Sequence, residues 1–200
     1  LVLYMPFEGN AKDKSGNGND GIVTNAVLTA GKIGQAYNFN GSGDFINVTS
    51  NSLTLNSISN SITLSAWVNS SDNLFRNIVI KHSDGGASGA SFSLRKANTG
   101  QMFFDGNISN IRYNAYETSA APLNSWNFYT ATFNGTTISF YKNGIFQSRV
   151  NAIGIISPHS SNRLLIGGLG GYDYFKGVID EVRIYNRSLS SGEVNYLYKY

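Results

Sequence analysis

The chain has 200 residues, no cysteine and two histidines, which excludes a disulfide framework and a zinc site of the usual Cys/His type. Its net charge of +3 comes from 15 Lys and Arg against 12 Asp and Glu, without a basic run that could follow a phosphate backbone. No apolar stretch is long enough to cross a bilayer. We therefore expect neither nucleic-acid binding nor membrane insertion, and one domain of the sandwich or barrel type over residues 1–200.

The polar composition favours an exported protein. Only 14% of the residues are charged, and Asn, Ser, Thr and Gly fill most polar positions, as is common in secreted β-proteins. The chain opens on Leu1 without a charged region followed by an apolar one. We expect a monomeric domain excised from a larger surface protein, with an extracellular or cell-surface location.

The first half of the chain is predicted to form strands, because apolar and polar residues alternate with a period of two. This alternation is clearest over residues 1–7 and 62–69. Shorter segments, rich in aromatic and β-branched residues and bounded by Gly, Asn or Ser, predict further strands. These segments are residues 36–39, 45–48, 77–81, 91–95 and 101–105.

The second half predicts a three-stranded meander over residues 126–134, 137–142 and 145–150. Its turns, Asn134-Gly135 and Asn143-Gly144, suit the positive φ angles of tight hairpins. Strands at 163–166 and 177–185 follow. A helix is predicted only at 190–198, with Ser190 or Ser191 as its cap. The pattern as a whole predicts an all-β fold of two packed antiparallel sheets.

Five motifs in chain order resemble the laminin-G-like (concanavalin A-like lectin/glucanase) jelly-roll domains. They are an apolar strand ending in Phe7-Glu8 with a Ser-Gly-Asn turn at 13–21, a Gly-x-Ala-x-x-Phe-x-Gly step at 34–41, a Thr-Leu-Ser-Ala-Trp-Val strand at 61–69, a Trp-to-Asn-Gly hairpin at 126–144, and a closing Ile-Asp-Glu-Val-Arg-Ile-Tyr strand at 177–189. Residues 84–123 depart from this pattern. The resemblance implies a two-sheet antiparallel jelly-roll sandwich, and it favours a binding module over an enzyme.

Asp180 interrupts the alternation of the closing strand. Counting by twos, its side chain is predicted to share a face with Val178, Val182 and Ile184. A carboxylate among apolar residues must be hydrogen-bonded, paired or bound to a metal, because an unpaired buried charge is costly.

Oxygen-bearing side chains near the two chain ends predict a structural calcium site. In this fold class the terminal strands tend to be neighbours, and calcium prefers six to eight oxygen ligands. The candidate ligands are Glu8, Asp13, Asn17, Asn19 and Asp180. The alternative is that Asp180 caps loop amides, while Asn17 and Asn19 only supply left-handed turn geometry.

No catalytic residues are predicted. Glycoside hydrolysis needs two carboxylates that flank one bond, whereas Asp180 and Glu181 are predicted to point to opposite faces of a strand. His82 and His159 lie in or beside serine-rich polar segments without a triad pattern. We therefore expect no enzyme.

Tyrosines in polar segments predict a ligand surface. A sugar ring stacks its C–H face on an aromatic ring and forms hydrogen bonds with Asn, Asp or Arg. The candidates are Tyr113, Tyr116, Tyr172, Asp173 and Tyr174, all predicted to lie in loops. The alternative for each tyrosine is a ring that only covers the edge of the core. We predict a recognition or adhesion module for a glycan or a surface protein, with carbohydrate as the leading ligand class and a ligand-free spacer as a further alternative.

Overall fold

The computed structural model describes residues 1–48, 52–82, 90–157, 163–169 and 173–200, and within them the chain forms fifteen strands and two helices. The first eight strands are β1 Leu3–Met5, β2 Gly21–Thr24, β3 Val27–Ala30, β4 Gln35–Asn40, β5 Phe45–Val48, β6 Ile62–Ser70, β7 Arg76–His82 and β8 Ala90–Lys96. The others are β9 Met102–Ile108, β10 Ile111–Tyr116, β11 Trp126–Phe133, β12 Thr137–Lys142, β13 Ile145–Asn151, β14 Arg163–Ile166 and β15 Lys176–Tyr185. The helices are α1 Leu53–Asn56 and α2 Ser191–Lys199.

The strands form two antiparallel sheets, which confirms the predicted jelly-roll sandwich. The eight-stranded sheet has the order β13-β12-β11-β6-β15-β4-β3, with β1 also paired to β15. The seven-stranded sheet has the order β10-β9-β8-β7-β14-β5-β2. The terminal strands are neighbours, as predicted, since Leu3 pairs with Ile184 and Met5 with Val182.

The core lies between the sheets and follows from the period-two pattern. Leu64 and Ala131 contribute to it from the eight-stranded sheet, and Phe92, Leu94 and Phe104 from the other sheet. Burial of each large apolar side chain stabilises the fold by about 1.5 to 3 kcal/mol. Residues between these positions along each strand therefore face outward.

Helix α2 begins where the sequence predicts. Ser190 Oγ accepts a hydrogen bond from Glu193 N, and Glu193 Oε2 accepts one from Ser190 N at 2.8 Å, which completes a capping box. Val194 packs with Leu189 and Tyr141 on the outer face of the eight-stranded sheet. Among the described residues no helix is long and apolar enough to cross a membrane.

A β-bulge in β15 reverses the predicted facing of Asp180. Glu181 has a φ of 54°, and the register with β6 shifts between Asp180 and Arg183. Val182 and Ile184 lie in the core, whereas Asp180 is paired with Trp67 on the outer face of the sheet. The prediction that Asp180 shares a face with Val182 and Ile184 is wrong, because the bulge adds one residue and breaks the alternation.

Candidate ligand-binding face and candidate cation site

The carboxylate of Asp13 organises the polar turn that follows the first strand. Its Oδ1 accepts hydrogen bonds from Tyr4 N at 3.0 Å and Ser15 N at 2.8 Å. Its Oδ2 accepts hydrogen bonds from Asn19 N at 3.0 Å and Ser15 Oγ at 2.8 Å. Both oxygens thus face hydrogen-bond donors, as in a turn cap.

The two asparagines of this turn tie it to the first strand. Asn17 and Asn19 donate from Nδ2 to Val2 O, at 3.2 and 2.8 Å. The left-handed geometry is supplied by Gly16 and Gly18, with φ of 90° and 71°, and not by the asparagines as the alternative hypothesis held.

Asp180 and Glu8 hold a second turn, between β3 and β4. Asp180 Oδ2 accepts hydrogen bonds from Lys32 N at 2.9 Å and Ile33 N at 3.0 Å, and Glu8 Oε1 accepts one from Gln35 N at 3.1 Å. Asp180 Oδ1 is buried and has no hydrogen-bond partner among the described residues. Burial raises the pKa of this carboxyl to about 7.

The five predicted calcium ligands belong to two separate clusters. Asp13 lies beside Tyr4, which is paired with Arg183. Asp180 is paired with Trp67 and Arg183 with Ser65, so the two positions lie two residues apart along β6, about 7 Å. The two clusters thus hold different turns through separate hydrogen bonds. Within the described ranges, no group of three or more His, Asp or Glu side chains could hold a metal ion.

The outer face of the seven-stranded sheet carries polar side chains in register. Because Phe92 and Leu94 point into the core, Ser93 and Arg95 point outward. Arg95 is paired with Asn77 on β7 and with Phe103 on β9, and Ser93 is paired with Asp105. We call the set Asn77, Ser93, Arg95, Phe103, Asp105 and Asn107 the polar face.

Asp105 is the charged centre of the polar face. Its side chain is 3% exposed. Arg112 Nε donates to Asp105 Oδ1 at 3.1 Å, Arg112 Nη2 contacts Oδ2, and Arg95 Nη1 lies 3.3 Å from Oδ2. One carboxylate thus pairs with two guanidinium groups. The trio of Asp105, Arg95 and Arg112 has a net charge of plus one.

Several polar atoms on this outer sheet surface are buried and have no hydrogen-bond partner among the described residues: Asn47 Oδ1, Asn77 Oδ1, Asn77 Nδ2, Ser93 Oγ, Arg95 Nε and Asn107 Oδ1. Asn47 belongs to the same surface, because it is paired with the outward-facing Leu165. A buried polar group without a partner costs about 1 to 3 kcal/mol, so proteins normally satisfy it with protein, water or ligand. The set mixes acceptors with donors.

Aromatic rings lie at one end of the polar face. Tyr116 is 39% exposed and stacks on Phe103 with ring centroids 4.8 Å apart. Phe75 lies 6.2 Å from Phe103, and the guanidinium of Arg95 lies 5.7 Å from the Phe75 ring. The rings offer an apolar surface next to hydrogen-bonding groups.

The predicted ligand residues are only partly brought together. Tyr116 borders the polar face, and so do Asp173 and Tyr174, because Asp173 O accepts a hydrogen bond from Asn77 N and Tyr174 forms a β-bridge with Asn77. Their role in binding stays a prediction. Tyr172 lies outside the described residues.

Tyr113 takes a different position from the one predicted. It lies with Tyr116 on strand β10, so the prediction of loop positions for these two residues is wrong. Tyr113 is paired with Gly106, which faces the core, and its ring packs against the core cluster. For this residue the structure shows the alternative, a ring that covers the edge of the core.

The two antiparallel sheets, packed as a jelly roll, define an all-β sandwich with a polar outer face. A family model described as the concanavalin A-like lectin/glucanases superfamily matches residues 15–195, and the chain belongs to this family. No curated protein sequence matches the chain.

Solved structures share the fold at low sequence identity. Domain 4 of AbnA, a GH43 extracellular arabinanase from Geobacillus stearothermophilus in complex with arabinotriose, is 20% identical with a TM-score of 0.79, over 98% of this chain and 97% of that one. The binding domain of Paraclostridial Mosquitocidal Protein 1 is 18% identical with a TM-score of 0.79, over 99% of this chain and 51% of that one.

A third structure comes from a neurotoxin. The binding domain of Botulinum neurotoxin DC in complex with SialylT is 17% identical with a TM-score of 0.78, over 99% of this chain and 50% of that one. The chain thus spans about half the length of the two toxin binding domains.

Proposed function

We propose that this domain is a non-catalytic carbohydrate-binding module and that its ligand binds over the polar face. The observation that carries the proposal is the set of buried polar atoms without partners. Carbonyl oxygens of Asn77 and Asn107 need donors, whereas Arg95 Nε needs an acceptor. A sugar hydroxyl donates and accepts, so a neutral glycan can satisfy both kinds of group.

The surroundings of the polar face support the same ligand class. The Tyr116 and Phe103 rings stand beside these groups, as a sugar that stacks on an aromatic ring requires. The structural neighbours that carry arabinotriose and SialylT add support at the level of the fold. Because one neighbour is a domain of an extracellular enzyme, we propose an extracellular or cell-surface setting for this domain as well.

Tyr116→Ala and Tyr174→Ala are expected to weaken glycan binding about fivefold each, because each removes a bordering ring worth about 1 kcal/mol. The glycan is chosen on an array and its Kd is measured by calorimetry. Tyr200→Ala is the matched control, since this ring is 76% exposed at the end of α2. All three variants should melt within a few degrees of the parent protein.

Two results would contradict the proposal. Equal Kd values for the parent protein and both border variants would place the glycan elsewhere on the domain. If no glycan on the array binds, the hypothesis of a carbohydrate ligand is rejected. Protein adhesion or a ligand-free spacer would then be favoured.

We also propose that calcium binds at the Asp180 end of the domain. Support comes from Asp180 Oδ1, a buried oxygen without a partner among the described residues, and from Glu8, whose carboxylate contacts the same turn. Carboxylate and backbone carbonyl oxygens are the ligands that calcium prefers. The contacts of Asp13 are those of a turn cap, so the proposal moves the site away from residues 13–21. A bound ion there would fix the turn between β3 and β4.

Calcium is expected to raise the melting temperature of chelator-treated protein. Free calcium at a hundredfold excess over Kd would stabilise a native-only site by about 2.7 kcal/mol. Asp180→Ala should abolish this increment, whereas Asp13→Asn, in the separate cluster, should retain it. Identical melting curves with calcium and with chelator would leave Asp180 as a cap for the Lys32 and Ile33 amides.

A further inference from the structure

A groove lies on the opposite side of the sandwich from the polar face. It has a volume of about 500 Å³, between the outer surfaces of β11, β12 and β13 and the start of α2. This volume is within the range of sites for small ligands, about 300 to 1,000 Å³. The proposed carbohydrate site does not use any of its residues.

The floor of the groove is a row of polar side chains in register. Thr132 of β11 is paired with Ser139 of β12, which is paired with Arg149 of β13. Thr132 is 4% exposed, lines the groove, and its hydroxyl makes no hydrogen bond within the described part of the chain. A hydroxyl that lines a groove and has no protein partner can bond to a ligand atom as donor or acceptor.

The Asn134 amide offers a donor to a ligand in the groove. Asn134 Oδ1 already accepts hydrogen bonds from Thr136 N at 3.0 Å and Thr137 N at 2.9 Å, so its Nδ2 is the end left to a ligand. Glu193 Oε1 lies 2.7 Å from Arg187 Nη2, and Glu193 also caps α2. Its charge is therefore paired with Arg187 within the protein.

Arg149 carries the uncompensated charge of the groove. Its side chain is exposed, and it makes no ion pair with any residue that the structure describes. A guanidinium group binds a carboxylate with two parallel hydrogen bonds, which gives geometric specificity as well as attraction.

We propose that this groove is a second binding site, for an acidic oligosaccharide. The carboxylate of a uronic acid residue pairs with Arg149, and oxygens of the sugar accept hydrogen bonds from Thr132 and Asn134. The groove thus differs from the polar face, where the arginines pair with Asp105, in that Arg149 has no carboxylate partner among the described residues. The domain would hold two kinds of sugar on opposite sheets.

The test uses trigalacturonic acid as the probe, with calorimetry for Kd and amide chemical shifts for location. We expect shift changes on β12, β13 and the start of α2, and a Kd about tenfold weaker for Arg149→Gln, because a hydrogen-bonded charge pair is lost. Thr132→Val should weaken binding less. Lys14→Gln removes one exposed positive charge in the turn of residues 13–21 and should leave Kd unchanged.

Two further ligands test which part of the probe provides the affinity. The methyl ester of the probe keeps the sugar without the carboxylate charge, and inorganic sulfate offers a negative charge without the sugar. Loss of binding on esterification, together with a sulfate affinity at least tenfold weaker, supports the proposal. Equal affinity for sulfate would reduce the groove to a general anion site and overturn it. Equal weakening by Arg149→Gln and Lys14→Gln, or an absence of shift changes at β12 and β13, would also overturn it.

Discussion

Asp105→Asn is expected to lower the free energy of unfolding by about 3 to 5 kcal/mol, because it leaves the buried Arg95 without its carboxylate partner. Asp105 is 3% exposed and pairs with both Arg95 and Arg112. Urea unfolding monitored by fluorescence measures the change. The effect arises more from the buried guanidinium group of Arg95, left without a carboxylate, than from the lost attraction.

Asp20→Asn is the matched control, because it removes a carboxylate from an exposed pair with Lys12 at 3.4 Å. Exposed pairs contribute about 0 to 1 kcal/mol. If the two variants lost similar stability, the Asp105 trio would be too well hydrated to act as a buried cluster. Arg95 would then lie in contact with water in solution.

Asp180→Asn is expected to change how stability depends on pH. The folded pKa of Asp180, about 7, lies above its ordinary value of 3.8, so the folded state holds this proton more tightly than the unfolded state. The stabilisation is complete below about pH 4 and is lost as the pH rises through 7, at up to about 1.4 kcal/mol per pH unit. An asparagine side chain does not titrate, so the variant should lack this loss.

The measurement is the stability of the parent protein minus that of Asp180→Asn, from urea unfolding between pH 4 and 8 in chelator. The difference should fall with pH, since other carboxylates contribute equally to both proteins. A difference that rises with pH would mean that the backbone amides of Lys32 and Ile33 outweigh desolvation and keep the carboxylate ionised. The chelator keeps any bound calcium from masking the result.

Local pattern was enough to predict most of the fold. Residues 45–48, 137–142 and 163–166 are strands with the predicted bounds, because apolar alternation and flanking turn residues agree there. Strands β2, β3 and β10 were not predicted. They are edge strands with much of their surface exposed, so few of their positions need an apolar residue.

The candidate site was less predictable, because it depends on register. The pairing of Arg95 with Asp105 joins different strands, and the bulge at Glu181 places a residue other than glycine at positive φ. A usable signal was present, since Ser93 and Arg95 alternate with Phe92 and Leu94 and must face away from the core. The prediction based on tyrosines identified residues at the border of the polar face. It did not identify the polar residues at the centre of that face.

The position of β15 within its sheet has a consequence for biosynthesis. β15 lies in the middle of the eight-stranded sheet, between β6 and β4, and it also pairs with β1. Strands β1 and β4 belong to the first 40 residues of the chain, so they wait for residues 176–185 before they acquire this partner. Contacts that close loops of this length form slowly. The middle of the eight-stranded sheet can therefore form only after almost the whole domain has been synthesised.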